Sequence, residues 1–186
     1  MSSRRQGFFY LAAFALCIPA ANWLIGNVGT VCVPDGPCLI PVAPGITAPS
    51  GVLMIGLALV LRDLVQRHLG VRWAIGAVLV GAALSGFFAP PALVVASAVA
   101  FLLSELADLA VYTPLQKKGL VLAVFVSSVI GLVIDSAVFL YLAFGSLDYI
   151  AGQVVGKMWM VLLALPVIHM LRTRELRRTA ASDVAV

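Results

Sequence analysis

Charge is scarce in this chain. Asp, Glu, Lys and Arg make up 11% of its 186 residues, where a soluble domain carries about 25%. Histidine is nearly missing, with only His68 and His169. No HExxH, GxSxG or Cys-x-x-Cys motif occurs, so the usual zinc, serine-nucleophile and redox signatures are absent. No metal or cofactor is expected. His68 falls in a basic stretch and His169 near the end of an apolar run, positions that suit interfacial residues. Ser104 precedes Glu105, but no His lies near it in sequence. An enzyme is therefore not expected, although an intramembrane enzyme built on acidic residues stays as an alternative. The net charge of +4 is spread among short loops and forms no patch that would suit nucleic acid.

Apolar residues are abundant: 62% of the chain, with a mean hydropathy of +1.10. A soluble domain has about 45–50%, and the excess is too large for one soluble core. A membrane-spanning helix needs roughly 20 mostly apolar residues. Candidate helices run over about 8–25, 46–61, 73–88, 91–112, 120–144 and 149–171. An outer loop covers 26–45 and a basic tail 172–186. The expected fold is all-α, a single polytopic membrane domain (1–186) of six transmembrane helices. No long-period, inverted or low-complexity repeat is evident.

Basic residues test this count, because cytoplasmic loops are enriched in Lys and Arg. Arg4 and Arg5 precede helix one; Arg62, Arg67 and Arg72 lie between helices two and three; Lys117 and Lys118 lie between four and five; Arg172, Arg174, Arg177 and Arg178 follow six. Eleven of the twelve fall on one side in a six-helix reading, which puts both termini in the cytoplasm. The rival is a signal peptide, with Arg4-Arg5, an apolar run and Pro19-Ala20-Ala21. The apolar run is long for that purpose. The tail 172–178 reads as an anchor at the anionic inner leaflet.

In the outer loop, Cys32 and Cys38 flank Val-Pro-Asp-Gly-Pro, a tight-turn signal centred on Asp35. Their placement on the oxidising side favours a Cys32–Cys38 disulfide, stapling either a small hairpin or a lid. No His or further Cys lies near enough to make it a metal site.

Ionisable groups inside hydrocarbon are costly and mark cavities or internal pairs. Glu105 and Asp108 share one face of helix four, which Tyr112 continues; Ser128 and Asp135 share one face of helix five; Gln153 and Lys157 share one face of helix six. Three polar stripes are all sheltered only if they face a common interior. With a rise of about 1.5 Å per residue, Asp135 lies about 13 Å and Lys157 about 12 Å below the outer helix ends, level with each other. Glu105 and Asp108 lie about 20–25 Å down, within reach of Arg62 or Arg67. Structural ion pairing would also explain these charges, but buried pairs add little net stability. Two layers at different depths fit a solute pathway, and three carboxylates to one lysine leave proton coupling open. Ala13, Cys17 and Ala21 repeat every four on helix one, and Gly152 and Gly156 form a GxxxG pattern. Pro19 and Asn22 share helix one, and interrupted or short helices often border transporter sites. Asn22 either caps the helix or offers its amide to a solute. Trp23, Phe87, Phe88, Phe101 and Trp159 suit interfacial anchoring, packing or stacking on a flat ring.

At these same residues the sequence resembles a known family. Leu61-Arg62-Asp63-Leu64-Val65-Gln66-Arg67-His68-Leu69-Gly70 resembles its acidic-leucine, arginine and glycine motif, and Ser104-Glu105-Leu106-Ala107-Asp108 its helix-four motif. Ser128 through Asp135, with Phe139 and Ala143-Phe144-Gly145, resembles its helix five; Gly156-Lys157 with Pro166 resembles its helix six. The family is the vitamin uptake transporter-like (VUT) group of queuosine-precursor transporters, and the resemblance spans roughly Asn22 to Pro166. Relatives often carry Gln at Glu105 and an acid at Gln153.

The resemblance implies import across a bacterial inner membrane of a deazaguanine base, cyano- or aminomethyl-deazaguanine, for tRNA modification. The expected substrate-binding residues are Asp135, Lys157, Glu105, Asp108, Gln153, Asn22 and Ser128. Arg62, Asp63 and Arg67 are expected to form gating ion pairs at the cytoplasmic end. A carboxylate can accept two N–H bonds from a guanine-like edge, Lys157 or Gln153 can donate to the ring carbonyl, and an aromatic can stack on its face. The expected partners are a purine-like solute and the bilayer, with a homo-oligomer left open. The alternatives are a substrate-binding subunit of an ATPase-energised transporter and a purely structural protein.

Overall fold

The computed structural model describes residues 3–33, 37–89 and 93–184. Among them are six α-helices: α1 (Ser3–Asn27), α2 (Val52–Leu69), α3 (Val71–Phe88), α4 (Val94–Leu115), α5 (Leu120–Phe144) and α6 (Ile150–Val184). Three short strands, β1 (Val31–Cys32), β2 (Cys38–Ala43) and β3 (Ile46–Pro49), lie between α1 and α2. Residues 34–36 and 90–92, the tip of the Cys–Cys turn and the Pro90-Pro91 opening of helix four, lie outside the described residues.

Five helices are long and apolar enough to cross a membrane: α1, α3, α4, α5 and α6 over Ile150–Met170. Their outward residues are large and apolar, such as Leu16, Leu79, Val95, Leu122 and Leu163, as lipid contact requires. The remaining helix, α2, carries Arg62, Asp63 and Arg67. It packs against all five others. Every residue from Ala58 to Gln66 is buried, so no face of that stretch meets lipid, and the others shelter its charges.

The direction of each helix follows from its contacts. Ala21 meets Gly51 and Gly7 meets Leu69, so α1 and α2 are antiparallel. Gly81 meets Phe101 while Gly86 meets Val94 and Ala98, so α3 and α4 are antiparallel. Asp108 meets Gly131 and Ser104 meets Asp135, so α4 and α5 are antiparallel. Phe8 meets Trp73 and Ile18 meets Gly81, so α1 and α3 are parallel.

Helix two and the C-terminal helix differ from expectation in their boundaries. Helix two does not run over 46–61. Ile46–Pro49 is a strand, paired with β2 through Leu39↔Pro49 and Ile40↔Ala48. The β2–β3 turn places Pro44 before Gly45, whose φ of 73° suits glycine at the third position of a type II turn. The helix then continues past Arg62 to Leu69, because Arg62 finds carboxylates inside the bundle. Only Gly70, at φ 94°, joins α2 to α3. The other difference is at the C-terminus, where α6 continues as helix to Val184 instead of giving way to a tail after 171.

The strands form one antiparallel sheet in the order β1-β2-β3. Cys32 and Cys38 are register partners and are disulfide-bonded. The sheet rests on α1 and α6. Val42 and Ala48 pack with Val52, and the Trp159 indole donates to the Val42 carbonyl at 2.8 Å.

Candidate functional site

Two polar layers occupy the core. The first is built by α5 and α6. Lys157 Nζ lies 2.5 Å from Asp135 Oδ2 and donates to Ser136 Oγ at 2.9 Å. Lys157 is 1% exposed and Asp135 8%. Close packing holds Lys157 there: a Cβ on Gly56 of α2 would lie 2.5 Å from the Lys157 carbonyl oxygen. Glycine at 56 thus lets the α2 and α6 backbones touch at the level of the lysine. Gly156 and Gly152 do the same against Val52 and the Thr47 carbonyl, so the GxxxG face receives α2 and the sheet.

A cavity of about 80 Å³ opens beside this pair. Asp135, Lys157, Gln153 and Asn22 supply its polar wall; Phe101 and Phe139 supply aromatic faces; Pro49 and Gly51 close it from the sheet side. Sites for drug-sized ligands run to roughly 300–1,000 Å³, so this one suits a small, flat solute and widens only if its walls part. The Asn22 amide donates to the Ile18 carbonyl at 3.0 Å within its own helix, leaving the amide oxygen for other donors.

The second layer surrounds Arg62. Its Nε donates to Glu105 Oε2 at 3.1 Å, Nη1 lies 3.0 Å from Asp63 Oδ1, and Nη2 pairs with Asp108 Oδ1. Nη1 also donates to Gln66 Oε1 at 3.3 Å. The Tyr112 ring lies 5.8 Å from the guanidinium carbon, a cation–π distance. Ser127 of α5 donates to Asp63 Oδ2 at 3.1 Å. Arg62, Asp63 and Asp108 are fully buried and Glu105 nearly so. One guanidinium thus serves three carboxyl groups with three different nitrogens, which suits the forked geometry of arginine.

The layers are joined. Ser104 Oγ lies 3.4 Å from Asp135 Oδ1, and Ser104 precedes Glu105. Beyond Arg62, Gln66 Nε2 donates to Thr113 Oγ1 at 3.0 Å, and the Gln116 amide reaches the Thr113 carbonyl at 3.2 Å. A column of polar side chains therefore runs from the cavity to the far end of α4.

Among the expected site residues, Asp135, Lys157, Gln153 and Asn22 line the cavity. Glu105 and Asp108 lie in the arginine layer with Arg62 and Asp63. Arg62 sits inside α2 and not in a loop after it. Arg67 is exposed on the last turn of α2, outside the buried layer. Ser128 is buried but is not on the cavity wall. Of the aromatics, Phe101 and Phe139 reach the cavity, whereas Trp23, Phe87, Phe88 and Trp159 are largely exposed. Sequence reasoning missed Gln66, Ser104, Ser127, Ser136 and Thr113 as members of the network. Gln66, one turn after Arg62, carried the one available signal. Among the described residues no group of His, Cys, Asp or Glu is arranged to hold a metal.

Apolar outer faces around a buried, charged, cavity-bearing interior define a multi-pass membrane protein of the transporter type. Residues 85–171, just under half of the chain, match the family model described as "Putative vitamin uptake transporter", and over that stretch the chain is similar to this family. The matched stretch holds the last turn of α3, α4, α5 and the membrane part of α6, and so Glu105, Asp108, Asp135 and Lys157; Arg62 lies before it. Neither the curated proteins nor the solved structures yield a match.

Proposed function

We propose that this chain imports a small purine-like base, a queuosine precursor of the deazaguanine class, across a bacterial inner membrane. The observation that carries the reading is the buried Asp135–Lys157 pair on the wall of a small cavity, flanked by Gln153, Asn22 and two aromatic rings. An acceptor and a donor side by side match the N–H edge and the ring carbonyl of a guanine-like base. Phe101 or Phe139 would stack on its face. A pair that served only to join α5 and α6 would need no cavity beside it, and apolar residues would join them at lower cost.

In this reading all six helices cross the membrane, with both termini in the cytoplasm. Antiparallel contacts between successive helices support the crossings, and the one-sided placement of Arg4, Arg5, Arg67, Arg72, Lys117 and Lys118 supports the orientation. The Arg62 layer then lies between the cavity and the cytoplasm. It would act as the inner gate, since a solute passes only if the contacts of Arg62 to Glu105 and Asp108 loosen.

The test uses bacteria unable to make the precursor, fed it at low concentration. With this gene, their tRNA should contain queuosine; without it, or with Lys157→Ala, it should not. Equal queuosine in all three strains would refute the substrate assignment.

A further inference from the structure

A second cavity lies on the outer surface of the bundle, in the groove between α1 and α3, with a volume of about 380 Å³. Its walls are apolar: Leu11 and Phe14 from α1, Ala77 and Val80 from α3. Its floor is Gly76, where an added Cβ would meet nothing within 4 Å. At one end stands Arg72. The helices are parallel, and the Phe8 and Trp73 rings meet edge to face at 5.2 Å, so the first turns of α1 and the start of α3 share a level. Arg4 precedes Leu11 by seven residues and therefore lies on the groove side of α1. Arg4, Arg5 and Arg72 are exposed, and none has an acidic partner within ion-pair distance among the described residues.

We propose that this groove binds one anionic phospholipid, with its phosphate held by Arg72 and Arg4 and one acyl chain lying over Gly76. The groove is apolar where a chain would lie and cationic only at the end where a head group would sit. Val80 to Arg72 spans about 12 Å of helix, so the chain segment and the phosphate would be engaged together. Basic pockets between membrane helices recognise anionic head groups in this way. A neutral lipid would fill the same groove without using the arginines. The site is separate from the Asp135–Lys157 cavity and does not depend on what that cavity carries.

Native mass spectrometry of the purified protein, titrated with phosphatidylglycerol or phosphatidylcholine in detergent, tests the proposal. Phosphatidylglycerol should bind more tightly, and Arg72→Ala should weaken it about fivefold while leaving phosphatidylcholine unchanged. Gly76→Leu should displace both lipids by filling the floor. Both positions are exposed, so both variants should keep the delipidated melting temperature. Glycerol phosphate at millimolar concentration should not compete. Equal binding of the two lipids, no effect of either variant, competition by glycerol phosphate, or a change of oligomeric state on Gly76→Leu in place of lipid loss would each overturn it.

Discussion

Lys157 and Asp135 are each other's compensation. Removing one leaves the other charge buried without its partner, a loss of about 3–5 kcal/mol. Replacing both by apolar residues of similar size removes that penalty. Lys157→Ala should therefore lower the detergent melting temperature sharply, whereas the double variant Asp135→Leu with Lys157→Met should melt close to the unaltered protein. If the pair only joins helices, the double variant keeps full uptake; if it binds solute, the double variant folds but takes up nothing. Arg62 is more exacting. Its three nitrogens serve Asp63, Glu105 and Asp108, and one lysine ammonium cannot reach all three. Arg62→Lys should thus lower the yield of monodisperse protein, and Arg62→Met should lower it further. Unchanged yield in Arg62→Met would mean that the layer is not held by charge.

At the scale of the element, α2 is central and close-packed. Gly56→Ala would push a methyl into the α6 backbone at Lys157, and overpacking of this kind costs about 1–3 kcal/mol. Both melting temperature and uptake should fall, while Gly26→Ala, where nothing lies within 4 Å, should leave both unaltered. The sheet is a separate small unit. Closing the short Cys32–Cys38 loop contributes about 2 kcal/mol at most, so Cys32→Ser with Cys38→Ser should speed amide exchange at Val31 and Leu39 without affecting exchange in α4 or α5. The beginning of α2 was not legible in the sequence, because apolar residues at 46–49 continue the hydrophobic run of the helix and periodicity does not separate a buried strand from a buried helix. Its end was misplaced for a different reason. In a hydropathy pattern an arginine reads as a helix end, and the partner that lets Arg62 stay inside is Glu105, 43 residues away. The level of Asp135 with Lys157 was legible, since it follows from helical rise alone. The serines were not: Ser127 reaches Asp63 across 64 positions, and a serine in an apolar helix carries no mark of its partner.

At the scale of the molecule, polar groups form one column through an apolar bundle, from the cavity past Ser104 to Arg62 and on to Gln66 and Thr113. Alternating helices would put the turn at Ser146 outside and that at Lys117 inside. A cysteine placed at Ser146 should react with an impermeant maleimide in intact cells, and one at Lys117 only after permeabilisation; the reverse would invert the orientation. The most direct measurement of the central claim is entry of labelled aminomethyl- or cyano-deazaguanine into proteoliposomes containing this chain and no ATPase. Entry should be saturable and should vanish in the Asp135→Leu, Lys157→Met double variant that still folds. Entry that survives in that variant, or none with the unaltered chain, would contradict the account.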